Sequence, residues 1–401
     1  MAKEKQPSSA QERQPLTAQQ KRQMRRRRAR RRAILRAVIL LALCSVLVLV
    51  ITNWDALSPD RLMGVAENLL GIGTGAFPVD MSGVSVKHLA QVEDYSVVLT
   101  DSHLMYLNHT GAEVNRFPCA YPTALMRTAG RYVLLAEQGG RRLHLSTRSK
   151  VVLELTADQD IITVAVNPKG QIAVLTQGPQ GYAVQLKVYN HAGRLLYTRN
   201  RNQTVTEVTM SEDGTQVAML SLEAVNGNLN TTLDVFSLET SEAAALHTYT
   251  AKDVLLYRAE YLHNGWVAAF GDDGAVMLDT ADGLTTVYRP EGMKLMGYAV
   301  SDSHLALALQ TYGDTGDGEI HLVTTDGDPK VTEPFRGEFR HLAEQDGAYV
   351  LLTDRAVQRI TEEGVGTTVE VEADGRRVAL NRDMAVVLGL NRITAHTFTE
   401  E

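Results

Sequence analysis

The chain reads as an all-β protein: a β-propeller, eight blades with seven as the alternative, preceded by one transmembrane helix. Three observations predict this. From about residue 84 the apolar pattern has period two, and turn pairs such as Asp-Gly, Asn-Gly and Gly-Gly break it into short runs. The runs recur in units of roughly 35–48 residues, the repeat length of propeller blades. Residues 37–54 are 18 consecutive uncharged residues directly behind a dense arginine block.

Residues 1–32 read as a disordered basic cytoplasmic tail, rich in Gln, Lys, Ser and Pro and without an apolar face. They hold 12 Lys/Arg and 2 Asp/Glu, a charge of +10; the whole chain carries −7, which leaves −17 for the rest. Residues 33–54 read as a transmembrane signal-anchor. At about 1.5 Å per residue the uncharged run is long enough for a helix to cross ~30 Å of hydrocarbon. Arg32 and Arg36 mark its inner end, where a guanidinium can snorkel to the headgroups, and Trp54 flanks its outer end. The positive-inside rule then keeps the tail in the cytoplasm and delivers the remainder outside. The apolar core is too long for a cleaved signal peptide and no small-x-small site follows it. Leu43 before Cys44 lacks the small side chain that lipidation needs.

Residues 55–75 read as a juxtamembrane helix and Gly-rich linker. Ser58 caps the helix, Pro59 takes its first turn, Leu62, Ala66 and Leu69 share a face, and Gly71 stops it. Residues 76–401 are the extracytoplasmic propeller. Its clearest unit is 161–200, with strands at 161–166, 171–176, 183–189 and from 195, and turns at 167–170 and 191–193. The same grammar gives units at 86–117, 123–155, 205–249, 255–289, 295–335 and 340–371. Three further strands, at 377–380, 384–388 and 393–397, are one short of an eighth unit. An open edge invites aggregation, so the extended segment 77–81 is predicted to complete the last blade. The second strand of each unit is almost wholly Val, Leu, Ala and Ile, as expected of a strand buried on both faces between neighbouring blades. A β-sandwich of similar strand count would have no fixed period.

The stretch 164–174 with the following 188–193 resembles a blade of the NHL and related propeller classes. The whole layout resembles an uncharacterised family of Firmicute single-span membrane proteins with an extracytoplasmic propeller-like domain, on Gly75-Ala76-Phe77-Pro78-Val79 and Arg131-Tyr132-Val133-Leu134-Leu135. That resemblance implies fold and topology and no activity. Propellers with quinone-dependent dehydrogenase activity usually carry a Trp in each blade; only Trp54 and Trp266 exist here.

The charge of −17 on the residues after the tail makes an acidic outer body, which argues against nucleic acid as a partner. Cys44 lies in the span and Cys119 outside it, so the outer domain has no internal disulfide, which favours a bacterial cell surface. The 11 histidines include no HExxH and no His-x-His pair, and each reads as a strand or turn residue. No Gly-x-Ser-x-Gly elbow and no phosphate-binding Gly loop occurs, and no cofactor is expected. One weak calcium candidate exists: Asp314, Asp317 and Glu319 on a Gly-rich stretch, without the D-x-D-x-D-G order. The ordinary reading is a solvated hairpin.

The expected function is therefore a binding module, without catalysis, for a protein or glycan partner at the cell surface, with membrane lipid engaged by the span and tail. The candidate binding face carries two loops in equivalent second-to-third-strand positions: a long insertion with Asn226, Asn228 and Asn230, and the acidic loop with Asp314 and Asp317. The alternative is a hydrolase or lyase acting on glycans, with carboxylates at the channel mouth. An inward-facing cluster of Asp, Glu, His and Arg in the central channel is the feature that would favour it.

Overall fold

The computed structural model describes residues 75–240, 244–262, 265–313 and 316–398. The tail, the predicted span with Arg32, Arg36 and Trp54, and the linker up to residue 74 lie outside the described residues. The propeller is built from thirty-two strands in eight four-stranded antiparallel sheets. After β1 (Val79–Asp80), blade 1 comprises β2–β5 (Val86–Val92, Tyr95–Thr100, His103–Leu107, Glu113–Pro118) and blade 2 comprises β6–β9 (Ala124–Ala129, Tyr132–Glu137, Arg142–Ser146, Val151–Thr156). Blade 3 is β10–β13 (Ile161–Val166, Ile172–Gln177, Val184–Tyr189, Leu195–Arg201) and blade 4 is β14–β17 (Thr204–Met210, Gln216–Val225, Asn228–Ser237, His247–Lys252). Blade 5 is β18–β21 (Leu256–Tyr261, Trp266–Gly271, Ala275–Asp279, Thr285–Tyr288) and blade 6 is β22–β25 (Met293–Val300, His304–Thr311, Gly318–Thr324, Pro329–Phe335). Blade 7 is β26–β29 (Phe339–Gln345, Ala348–Thr353, Ala356–Thr361, Gly364–Glu370), and blade 8 holds β30–β32 (Arg377–Asn381, Met384–Leu388, Arg392–Thr397).

Blade 8 closes as the sequence predicts. β1 is its outermost strand, with Val79 opposite Ile393 and Asp80 opposite Arg392. The first strand thus covers the edge that β32 would otherwise present to solvent. The segment enters against the turn between β4 and β5, where a Cβ on Gly75 would sit 2.3 Å from the Ala112 nitrogen. Only glycine permits that approach.

The core is eight separate clusters, one per interface between neighbouring blades. Val217 and Met219 of β15 pack toward blade 3 with Leu175 and Leu186, while Ala218 and Leu220 pack toward blade 5 with Val267 and Val276. One strand therefore feeds two cores with alternate residues, which is why its run is apolar throughout. The outer strands alternate, as in β9, because one face meets solvent. The ring closes through Ala379, Val386 and Ile393 of blade 8 against Leu89, Val98 and Leu107 of blade 1. Each Leu, Val or Ile of these clusters contributes about 1.5–3 kcal/mol on leaving water.

One expectation needs correction. Residues 223–230 are not a loop. β15 continues to Val225 and β16 begins at Asn228, so Asn228 and Asn230 are strand residues opposite Val225 and Glu223. Only Asn226 and Gly227 turn, with φ of 52° and 87°. Both positive values suit a tight hairpin turn, and Asn-Gly is the pair that adopts them at least cost, so the ladder runs to the turn itself. Glu319 is likewise in a strand, β24, opposite Leu309.

Candidate functional site

The first strand of each blade lines the central channel. Six of them carry a β-bulge at one equivalent place: Lys87, Ile162, Thr206, Tyr257, Met296 and Arg340 are the extra residues. A bulge re-aims the residue that follows it. Those residues are His88, Thr163, Glu207, Arg258, Gly297 and His341, each opposite the same rung of the second strand. Leu125 of β6 and Arg377 of β30 occupy that rung without a bulge. Six of the eight positions on this ring are therefore polar. Gly297 is an exception for space: a Cβ there would come 2.4 Å from the Phe339 ring.

On one side the charges form a connected network. Glu207 receives Arg258 Nη1 at 2.9 Å and Arg127 Nη2 at 3.4 Å. Arg127 stands on blade 2 and Glu207 on blade 4, so this ion pair reaches across blade 3. Arg258 Nε donates to the Tyr298 hydroxyl at 3.2 Å, and that hydroxyl donates to Glu260 Oε1 at 3.1 Å. The Tyr298 ring stacks on Phe270 at 3.7 Å, which fixes its direction. Blades 2, 4, 5 and 6 are thereby tied together around a cavity of about 370 Å³ lined by Arg127, Glu207, Arg258 and Glu260.

Burial raises the Glu260 carboxyl, and only Arg258, Tyr298 and Arg127 counter it. Burial lowers Arg127, and repulsion from Arg258 adds to this against the pull of Glu207. Arg258 moves the other way: burial opposes its charge, but Glu207, Tyr298 and Glu260 together outweigh burial. The two carboxylates thus sit in unlike settings, Glu207 between two guanidiniums and Glu260 under a tyrosine.

On the other side lie His341, Arg377 and His88, on blades 7, 8 and 1. Burial and then Arg377 hold both imidazoles down at about 4, and Arg127 and Lys87 press further on His88. Arg377 is itself lowered by burial.

The first-to-second and third-to-fourth turns share one face of the ring; the second-to-third turns and the connections between blades share the other. That second face bears nine exposed apolar side chains among the described residues: Tyr182, Val225, Leu229, Leu255, Tyr257, Met296 and Tyr312 on blades 3 to 6, and Val84 and Leu390 beside blades 1 and 8. Tyr312 is 58% exposed and Tyr182 46%. Leu195, Leu196, Leu246, Leu284 and Val287 lie instead on outer strands and third-to-fourth turns.

The sequence-derived residues divide as follows. Asn226, Asn228 and Asn230 stand on the blade 4 hairpin, and Asn228 Nδ2 donates to Asp253 Oδ2 at 3.1 Å on the adjoining connection. Asp314 lies outside the described residues. Asp317 accepts from the Gly337 N–H at 3.0 Å, and Glu319 pairs with His321 Nε2 at 2.9 Å. Their oxygens are thus already directed at protein partners. Among the described residues no three His, Cys, Asp or Glu come together as a metal site. The channel residues were missed in sequence because each reads as one polar residue in an otherwise apolar repeat. Stacking the repeats on their second strands would have put His88, Glu207, Arg258, His341 and Arg377 in one column.

BamB from Moraxella catarrhalis is similar in fold, with a TM-score of 0.52 at 9% identity over 82% of this chain and 100% of that one. AztD from Citrobacter koseri gives 0.49 at 11% identity over 76% and 88%. At such identities the first likeness speaks to the propeller fold alone, and the second carries no weight. No curated protein matches the chain. A family model matches residues 79–374, most of the chain and nearly all of the propeller, so the protein belongs to DUF5711, a family of unknown function.

Proposed function

We propose that this protein is a membrane-anchored, extracytoplasmic binding module that captures a protein partner at a bacterial cell surface. The apolar arc over blades 3 to 6 carries the reading. Large apolar side chains gathered on one face of a protein mark a surface that something covers. Asn226, Asn228 and Asp253 stand among these side chains, so the face mixes apolar and polar groups as an interface does. Aromatic anchors such as Tyr182 and Tyr312 contribute most of the energy in contacts of this kind. The basic tail and the 18-residue uncharged run support the anchored topology, with the N-terminus in the cytoplasm. Lipid contact through span and tail belongs to the same reading, and a glycan is the less favoured occupant of an apolar arc.

Crosslinking on intact cells with an outward-facing tag tests it. The triple variant Tyr182→Ser, Leu229→Ser and Tyr312→Ser should lose a partner that the native protein captures, with little change in melting temperature. Equal capture by the variant sinks the reading, and protease resistance of the propeller on intact cells sinks the topology.

A second reading has its own observation. Glu207 and Glu260 line one channel cavity, and burial raises the Glu260 carboxyl, the shift that suits a carboxyl to act as an acid beside a second carboxylate. Hydrolase or lyase activity on a glycan would be abolished in both Glu207→Gln and Glu260→Gln; turnover surviving in either variant removes this reading.

A further inference from the structure

We propose that the positive side of the central channel is a binding site for an oxyanion, the carboxylate or phosphate group of a small ligand, held by Arg377 between His341 and His88. The three residues occupy the same rung on consecutive blades, opposite Leu388, Leu352 and Leu99. Arg377 stands in the middle of the three, on the blade between those of His341 and His88, and its charge bears on both rings.

Arg377 differs from the other channel arginines. Arg127 and Arg258 both reach Glu207. Among the described residues Arg377 has no carboxylate partner, and removal from water is the one influence on it. A half-buried cation without a counterion weakens a fold, since desolvation is not offset by attraction. An anion that enters the channel supplies that attraction. The guanidinium fork matches two oxygens of a carboxylate or phosphate.

The histidines are set for the same task. His341 Nδ1 lies 3.1 Å from the Val378 oxygen and His88 bonds to the Ala124 backbone, so each ring is fixed on the neighbouring first strand. One ring nitrogen is used in each, and the other is free to meet a ligand. The remaining charges that act on this group are Lys87 and Arg127, both positive. The channel carboxylates Glu207 and Glu260 are turned toward Arg258, Arg127 and Tyr298 instead. Residues 55–401 carry −18, so extended polyanions are repelled from their surface. A ligand with one or two anionic groups, small enough to enter the channel, fits both facts.

The test uses the full-length chain in nanodiscs of uncharged lipid. Melting temperature and titration heat are followed with inorganic phosphate and with succinate, against sodium chloride at matched ionic strength. A saturable rise in melting temperature with at least one probe, weakened about tenfold or more in Arg377→Gln, supports the site. Response to phosphate alone assigns a phosphate ligand and response to succinate alone a carboxylate. Should Arg377→Gln not fold, Arg377→Lys keeps the charge and loses the fork; weaker binding at unchanged melting temperature then supports the site. No saturable response to either probe, or equal binding by the substituted chain, overturns it.

Discussion

Both sides of the channel carry an arginine on the same rung, Arg258 on one and Arg377 on the other, yet they handle its charge in opposite ways. Around Glu207 two arginines converge from blades 2 and 5, and Tyr298 links Arg258 to Glu260. Around Arg377 there is no carboxylate; two imidazoles fixed to backbone flank it and stay neutral at ordinary pH. The first side satisfies its charges within the protein and so stabilises the ring. The second leaves charge available, which costs stability and is what a binding site requires. Position on a strand therefore does not decide a polar residue's role; its neighbours across the axis do.

Four outcomes would sharpen or break this contrast. The largest effect is expected for Glu207→Gln, which strands two half-buried guanidiniums at once and should cost about 3–5 kcal/mol in urea unfolding. A loss below ~1 kcal/mol would mean that water already screens the network. Tyr298→Phe comes next. It removes a donor from Glu260 and an acceptor from Arg258 while leaving the stack on Phe270, and should cost about 1–3 kcal/mol.

Acid should act through the other side. His88 and His341 have folded-state values of about 4 against 6.5 in the unfolded chain. Between those values the unfolded chain binds more protons, so stability is complete above pH 6.5 and falls as pH drops from 6.5 toward 4. The loss is of order 1 kcal/mol after allowing for water that still reaches both rings. His88→Gln with His341→Gln should flatten that part of the pH profile, and an unchanged slope would place the titrating groups elsewhere. The smallest effect is expected for Arg377→Gln. Removing an unpaired cation should leave the melting temperature unchanged or slightly higher, and a clear fall would show that Arg377 is structural after all.

The blades were legible because each second strand serves two cores. Val217 to Leu220 must all be apolar, and that demand recurs in every repeat. The closing role of β1 was legible for a related reason: three strands at the C-terminus leave an edge that something must cover. The 223–230 hairpin was read as a loop because Asn and Gly are loop residues by composition. The Asn-Gly pair is also what a two-residue turn needs, and pairing of Val225 with Asn228 can be seen only once the ladder exists.

Sequence by itself determined the repeat and the strand that closes the ring, because period and apolar content are local properties that backbone pairing must obey; the structure decided between eight blades and seven. Sequence also carried the contrast between a basic tail and an acidic remainder. The tertiary structure alone decided the channel. Arg127 and Glu207 are 80 positions apart, Arg258 and Glu207 51. Nothing along the chain brings such residues together. They meet because the ring bends eight similar sheets around one axis and aims one residue from each first strand toward it.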